Sequence, residues 1–222
     1  MADLRRASEP FRFYTRLHLT ELTGLRAAGL VQLVRLLKSV PGGSIYYHTH
    51  RFLQQHQYLS PEPPNDFAYW VREILGEEEL GERLASIDII QFPTIRNLRE
   101  KIIETIEAYL EERPESKMRF PREGGELHFK KAVSFILPTQ YISYDLREFV
   151  EILKRITIDS IYFHIFEARL RLEKKTNDFS NWIENTIGNK ELALSIAHLD
   201  PYTYTLEDLR RTIADLIEKE IG

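Results

Sequence analysis

Two stretches of the sequence, residues 11–19 and 127–135, largely alternate apolar and polar side chains. Such alternation is typical of a half-buried β-strand. We therefore predict a short strand in each stretch, with an amphipathic helix as the alternative. Pro138 is expected to end the second strand, because proline cannot donate a hydrogen bond to a sheet. The two strands have related sequences, so they could also pair with each other.

Apolar residues at helical spacing follow each predicted strand. The first series is Leu30, Leu33, Val34 and Leu37, and the second is Leu146, Phe149, Val150 and Leu153. This spacing predicts one amphipathic helix after each strand. The second helix is expected to begin at the N-cap Ser143, and the first is expected to end at Pro41-Gly42-Gly43.

A motif in the next predicted helix occurs twice. Ser44-Ile45-Tyr46-Tyr47-His48 returns 116 residues later as Ser160-Ile161-Tyr162-Phe163-His164. Ser44 and Ser160 are the expected caps of these helices, with Asp159 as an alternative to Ser160. Helical spacing from the neighbouring apolar residues places His48 and His164 on the inward-facing side.

Further matches extend this motif into an internal repeat. They are Asn65-Asp66-Phe67 with Asn177-Asp178-Phe179, Trp70 with Trp182, Gly76 with Gly188, and Thr94 with Thr205. In each copy they predict a helix that starts at the Asn-Asp pair and ends at the glycine. A short helix and a last helix capped by the threonine follow. Residues 111–126, with two prolines, two adjacent glycines and many charges, are expected to link the copies.

The repeat leads to a prediction of the fold class. We expect a mainly α protein with two pseudo-symmetric helical repeats, each opening with a short β-strand. The predicted boundaries are a polar tail over residues 1–12, repeat 1 over 13–112, a linker over 113–128 and repeat 2 over 129–222. The period is too long for a solenoid, so the pattern indicates a duplicated domain.

Composition narrows the functions that the chain could have. The 222 residues are 43% apolar, enough for a packed core. A net charge of −4 argues against nucleic acid as a partner, because phosphate binding needs a basic surface. The absence of cysteine excludes disulfides, thiolate nucleophiles and cysteine-ligated metals. We expect a cytoplasmic protein, since we find neither a secretory signal nor the ~20 apolar residues of a membrane span.

Histidines are the candidate reactive groups. His48 and His50 would lie about 200° apart around a helix axis, and His48 and His56 roughly 12 Å apart along it, so neither pair can hold one ion from one helix. A site could form between the copies, from His48, His164 and Glu167. Buried, hydrogen-bonded histidines are the stronger expectation, and neither a metal nor a cofactor is predicted.

Two other sets of residues could bind a ligand. Asp66 and Asp178 lie near tryptophan and tyrosine, a combination that suits a sugar or another polar ligand, although helix capping explains the Asn-Asp pairs in both copies. Both tryptophans are expected in the core. Polar residues also differ between the copies: His50 corresponds to Phe166, Arg51 corresponds to Glu167, and His56 has no histidine counterpart. A functional surface is therefore expected around these residues and the loop over 54–64.

Three long segments resemble a known family. They are Ser44-Ile-Tyr-Tyr-His-Thr-His-Arg-Phe-Leu-Gln-Gln-His56, Pro63-Pro-Asn-Asp-Phe-Ala-Tyr-Trp70, and the stretch from Ile165-Phe-Glu-Ala-Arg-Leu-Arg171 to Asn177-Asp-Phe-Ser180. The family is uncharacterised, bacterial and known only as a domain of unknown function, and the resemblance covers nearly the whole chain. It implies a bacterial cytoplasmic protein, and it transfers no catalytic residue.

Two hypotheses for function follow. The first is a non-catalytic helical module that binds a ligand or a protein partner, with a regulatory role. The alternative is an enzyme with a His/Glu/Asp site between the repeats, which a metal ion could assist. The partner would be a protein, a small molecule or a second copy of the chain, and not nucleic acid or membrane.

Overall fold

A computed structural model of the protein describes residues 6–55, 65–168, 176–199 and 203–222, without the side chains of residues 51–55 and Ile90. From residue 6 to 126 the elements are β1 (Phe11–Ala27), α1 (Leu30–Ser39), α2 (Gly42–Gln55), α3 (Asp66–Tyr69), a π-helical turn (Trp70–Ile74), α4 (Glu78–Ala85), a 3-10 turn (Ile89–Gln91), α5 (Ile95–Glu112) and a second 3-10 turn (Pro114–Met118). From residue 127 onward they are β2 (Leu127–Ser143), α6 (Leu146–Leu153), α7 (Ile158–Tyr162), a π-helical turn (Phe163–Glu167), α8 (Asp178–Trp182), a π-helical turn (Ile183–Ile187), α9 (Lys190–Ala197) and α10 (Leu206–Ile221).

The two strands pair with each other in an antiparallel sheet, and each is 17 residues long. Helices make up about 59% of the structure. The expected class, a mainly α protein of two helical repeats with short strands, is therefore wrong, because the paired strands are long and prominent. Pro138 does not end β2. Each strand of a two-stranded sheet has one open edge. At that edge a proline interrupts no hydrogen bond to a neighbouring strand, because no strand is there to accept one.

The alternating pattern fades along β1 because the middle of the strand is exposed. Leu17 and Leu19 are about half exposed, and Leu22 is 76% exposed. Alternation marks a strand only where one face is buried. Only the ends of each 17-residue strand have buried side chains, so the pattern does not reveal the full length.

The described chain divides into two compact units, and each strand changes unit midway. Unit 1 contains β1 up to Leu17 and the described residues from Ser134 onward. Unit 2 contains the described residues from His18 to Val133. Each unit therefore combines the start of one strand with helices that lie far away in the sequence.

Aromatic side chains form the core of unit 1. Phe11 and Phe13, at the start of β1, lie with ring centroids 5.3 and 5.2 Å from Phe149 of α6. Phe149 is in turn stacked on Trp182 at 5.3 Å. Phe179 joins the cluster at 5.2 Å from Phe149. These edge-to-face and offset contacts stabilise the helices against the strand beyond their buried area alone.

Unit 2 has a related core at the start of β2. Leu127 and Phe129 are buried, and the Phe129 ring lies 6.2 Å from Phe67 of α3. At the end of α1, Arg99 of α5 donates a hydrogen bond to the carbonyl of Val40 at 2.8 Å. That bond satisfies a carbonyl that the helix leaves without a partner.

Several predicted helix ends are confirmed. The side chains of Asn65, Asn177, Thr94 and Thr205 each accept a backbone N–H at the start of a helix. Gly188 ends its helix in the left-handed conformation, with φ of 81°. Gly76 has a φ of 70° two residues after the corresponding helix, which ends at Ile74. Local side-chain chemistry fixes these positions, which is why the sequence reveals them.

Other predicted ends are wrong. Ser143 is the last residue of β2, and Asp145 caps α6 instead. Ser160 lies inside α7, which Thr157 caps. The first helix does end before Pro41, since α1 stops at Ser39 with Val40 as its C-cap. The Gly42-Gly43 pair, however, begins α2, where a Cβ on Gly43 would stand 2.8 Å from the carbonyl oxygen of Ala132. Gly43 therefore allows the helix to approach β2 closely.

Candidate functional site

His164 connects a strand to a helix inside unit 1. Its imidazole is 2% exposed and lies on the π-helical turn that follows α7. Nε2 accepts the backbone N–H of Tyr14 at 2.9 Å, and Nδ1 lies 2.7 Å from Asp178 Oδ2. Because Nε2 is an acceptor, the ring proton belongs on Nδ1, which donates to the carboxylate. The hydrogen bonds therefore assign a neutral imidazole that is bonded at both nitrogens.

His48 makes the corresponding contacts in unit 2. Its Nε2 accepts the backbone N–H of Lys130 at 3.0 Å, and its Nδ1 lies 2.8 Å from Asp66 Oδ2. His48 as a residue is also 2% exposed, and its ring lies 5.6 Å from the ring of Phe129. Asp66 and Asp178 are thus the partners of the two histidines, directly after the asparagine caps.

His50 lies in a different environment in unit 2. It is 3% exposed, and its Nδ1 lies 2.9 Å from Thr49 Oγ1. Its ring is stacked with Tyr46 at 5.1 Å, and Tyr46 is also stacked with His18 at 5.7 Å. The structure therefore brings His50 next to aromatic rings.

Glu167 is a buried carboxylate of unit 1 with a cationic partner. It is 4% exposed and forms an ion pair with Arg16 of β1. The Arg16 guanidinium also donates to the hydroxyl of Ser134. The side chain of Arg51 and the whole of His56, both candidates from the sequence, lie outside the described residues.

A cleft of about 710 Å³ opens beside His164 in unit 1. Arg12 and Tyr14 line it from β1, and Asp178, Asn181 and Trp182 line it from α8. The carboxylate of Asp178 is 16% exposed, so the residue that holds His164 also reaches the cleft. The cleft therefore places a carboxylate, an amide and aromatic side chains around one space.

The helical wall of the cleft is polar at regular spacing. Asp178, Asn181 and Asn185 repeat at three- and four-residue intervals and thus share one helix face. Asn185 Nδ2 donates to the Oδ1 and the carbonyl oxygen of Asn181, at 3.0 and 2.9 Å. Trp182 is anchored on the same face, since its Nε1–H donates to the carbonyl of Glu9 at 2.8 Å. The polar face is therefore held in place by contacts within unit 1.

The matching positions of unit 2 have different side chains. The sequence offset that pairs Asp66 with Asp178 also pairs Tyr69 with Asn181, Glu73 with Asn185 and Ile74 with Thr186. Tyr69 is 49% exposed and Ile74 is 40% exposed. The Cγ2 of Ile74 lies 3.1 Å from where a Cβ on Gly125 would stand. The histidine contacts are thus alike in both units, whereas the side chains around them differ.

The sequence as a whole matches one family over most of its length. The model of a family of unknown function (DUF5752) matches residues 8–218. The chain belongs to this family. A solved structure, "The structure of OrfY from Thermoproteus tenax", is 26% identical, with a TM-score of 0.81 and 98% of each chain covered. No curated protein matches the sequence.

These comparisons support one part of the resemblance seen in the sequence, namely membership in a family of unknown function. DUF5752 is a family of unknown function, as that resemblance implied, and it supplies no catalytic residue. The bacterial origin stays a prediction. OrfY, at 26% identity, shares the architecture of this chain over its whole length.

The described residues also limit what the site could hold. Among them, no group of three or more His, Asp or Glu side chains is placed to bind one metal ion.

Within the same part of the chain, no helix combines the length and the apolar character needed to cross a membrane. Sequence reasoning missed the two His–Asp pairs because their separations differ, 18 residues for His48–Asp66 and 14 for His164–Asp178.

Proposed function

We propose that this DUF5752 protein is a non-catalytic ligand-binding module and that a small polar molecule binds in the cleft of unit 1. The observation that carries the proposal is the cleft itself, with Asp178, Asn181 and Asn185 on one wall and Tyr14 on another. Its volume of about 710 Å³ is in the range of small-molecule sites. Such sites combine aromatic side chains with a few fixed polar groups, as this cleft does.

The contacts of His164 support a non-catalytic role. A general base must lie within hydrogen-bond reach of the proton that it removes. Nε2 of His164 accepts from Tyr14, and Nδ1 is bonded to Asp178. Both nitrogens therefore serve the fold, and Glu167 is engaged with Arg16. These contacts favour the binding module over the alternative hypothesis of an enzyme that uses His164 as a general acid or base.

Native mass spectrometry tests the proposal. Tag-free protein purified without chelator is incubated with a metabolite extract and then desalted. We expect a stoichiometric added mass below that of a macromolecule. A spectrum of the protein as purified, before the extract is added, measures whether the chain forms a homo-oligomer or has co-purified with a protein partner.

Tryptophan fluorescence locates the ligand. The sequence has two tryptophans, so Trp70→Phe leaves Trp182 in the cleft as the sole reporter, and Trp182→Phe leaves Trp70 of unit 2 as the matched control. We expect the ligand to change the emission of Trp182 but not that of Trp70. A bare mass together with unchanged Trp182 emission would contradict the proposal.

The proposal also includes a cytoplasmic location and a regulatory role. The acidic net charge of −4 supports the further expectation that nucleic acid is not the partner. Cell fractionation tests the location, and a filter-binding assay with duplex DNA tests the partner. Membrane-associated protein or salt-sensitive DNA binding would contradict these two parts.

A further inference from the structure

We propose that the ligand of the unit 1 cleft is a neutral polyhydroxylated compound, that is, a sugar or a related polyol. This inference rests on the proposed function and adds the chemical class of the ligand. It depends on three properties of the cleft: mixed donors and acceptors on one helix face, aromatic rings beside them, and charges of both signs.

The donors and acceptors match hydroxyl groups. Asn185 Nδ2 donates its hydrogen bonds to Asn181. No other hydrogen bond joins these two side chains to a described residue. The Asn181 amide N–H groups and the Asn185 Oδ1 are therefore available to a ligand, next to the Asp178 carboxylate and the Thr186 hydroxyl. A hydroxyl both donates and accepts, so adjacent hydroxyls of a polyol can bond this alternating set.

Aromatic side chains provide the apolar part of the site. Tyr14 is half-buried, and its ring lies 6.3 Å from the ring of Phe163 at the edge of the cleft. Trp182 is almost buried and lines the same space. Aromatic rings supply a large apolar surface with a polar tip, which suits a ligand with C–H groups on one face and hydroxyls at its rim.

The charges and the hydrogen-bonding groups of the cleft together favour a neutral ligand. Its lining contains the carboxylates of Glu9 and Asp178 and the guanidinium of Arg12, while the His164 ring is neutral by its hydrogen bonds. The two carboxylates repel a phosphate. A quaternary ammonium group has no hydrogen-bond donor or acceptor, so it cannot bond the asparagine amides. A ligand without hydroxyls would also leave the asparagine amides without partners, which lowers affinity.

The corresponding positions of unit 2 provide matched controls. Tyr69, Glu73 and Ile74 replace Asn181, Asn185 and Thr186, so that surface lacks the paired amides. Asp66→Asn changes the histidine contact of unit 2 in the same way that Asp178→Asn changes that of unit 1. Both variants change the partner of a buried histidine, although the Asp66 carboxylate is 43% exposed and the Asp178 carboxylate 16% exposed. Asp178 lines the cleft of unit 1, whereas Asp66 belongs to unit 2.

The experiment measures binding of defined probes by calorimetry and by Trp182 emission in the Trp70→Phe protein. The probes are glucose, ribose and sucrose as neutral polyols, glucose 6-phosphate as an anion and choline as a cation. We expect saturable binding of at least one neutral probe. Asn181→Ala, at a half-buried position of the helix surface, should weaken it about 5- to 10-fold, the effect of one lost hydrogen bond.

The controls decide the location of the ligand. Asp178→Asn should weaken binding roughly 10-fold or more, because it removes a charged acceptor. Asp66→Asn and Tyr69→Ala should leave affinity within about twofold, because they change unit 2 alone. Equal losses from the variants of both units would overturn the inference.

The outcomes also separate this inference from the proposed function. If choline or glucose 6-phosphate binds at Trp182 and the neutral probes do not, the ligand class is wrong while the binding module stands. A retained metabolite without hydroxyl groups leads to the same conclusion. If no probe binds and the native protein acquires no small mass from the extract, both proposals are wrong.

Discussion

The contact between His164 and Tyr14 leads to a prediction about stability. His164→Leu removes the acceptor of the Tyr14 N–H and the donor to Asp178, both inside unit 1. The side chain is 2% exposed, so water cannot easily replace either bond. Leucine is apolar and of similar size, so the change mainly removes the hydrogen bonds.

The two hydrogen bonds of His164 determine the expected loss in the free energy of unfolding. A buried N–H that loses its acceptor costs about 1–3 kcal/mol, and a hydrogen bond to a charged group contributes about 1.5–3 kcal/mol. Asp178 is 16% exposed and can regain some hydration, which places its share at the lower end. We therefore expect His164→Leu to lower the free energy of unfolding by about 3–4 kcal/mol, out of roughly 5–15 kcal/mol for a typical domain.

Two conservative variants separate the contributions of the two hydrogen bonds to this loss of stability. The amide of glutamine reaches the position of Nε2, so His164→Gln keeps an acceptor for the Tyr14 N–H. The amide of asparagine reaches the position of Nδ1, so His164→Asn keeps a donor to Asp178. Since Asp178 can regain water and the strand N–H cannot, we expect His164→Asn to be less stable than His164→Gln by about 1 kcal/mol.

The assay is urea unfolding followed by Trp182 emission in the Trp70→Phe protein, which reports on unit 1. Hydrogen exchange of the Tyr14 amide gives an independent measurement, because a bonded amide exchanges slowly. We expect protection to be retained in His164→Gln and lost in His164→Asn. Losses below ~0.5 kcal/mol for the leucine variant, or a protected Tyr14 amide in the asparagine variant, would refute the assigned contacts.

Two further predictions concern unit 2. Gly43→Ala should destabilise by about 1–3 kcal/mol, because its Cβ would stand 2.8 Å from the carbonyl oxygen of Ala132, whereas Gly42→Ala has room and should be neutral or stabilising by urea unfolding. Burial and the hydrogen bond to Glu77 raise the pKa of Tyr109, so its contribution to stability is complete below the ordinary tyrosine pKa of about 10 and is lost as pH rises through the raised pKa. Tyr109→Phe should remove that alkaline loss from a series of unfolding curves, and parallel curves for both proteins would contradict the assignment.

Local signals predicted much of the helical structure. Asn65 and Thr205 act as N-caps because a short side-chain oxygen meets an N–H three residues later, a contact visible in the sequence. The Gly42-Gly43 pair follows the end of α1 as predicted, but it also begins α2 and permits close packing against the carbonyl of Ala132, which is far away in the sequence. Glycine occurs both in turns and where two backbone segments approach closely, and only the structure shows which of the two applies at a given position.

Non-local contacts account for the rest of what the sequence did not predict. The partner of His164 on β1 lies 150 residues away, and the partner of His48 on β2 lies 82 residues away. Apolar periodicity shows which face of an element is buried, but not which strand covers it. The π-helical turn at Phe163–Glu167 is likewise invisible to a pattern of 3.6 residues, although it carries His164.

The two histidine contacts also indicate where function should be sought. A His–Asp pair that also binds a strand N–H stabilises each unit whatever ligand is present, so His48 and His164 belong to the framework. Binding should instead depend on side chains that differ between matched positions, above all Asn181 against Tyr69. Framework variants in either unit should therefore lower stability, whereas variants of the cleft surface should change affinity in unit 1 alone. Under the proposed function, specificity resides in the surface of the unit 1 cleft, which the Ser-Ile-Tyr motif present in both units does not distinguish.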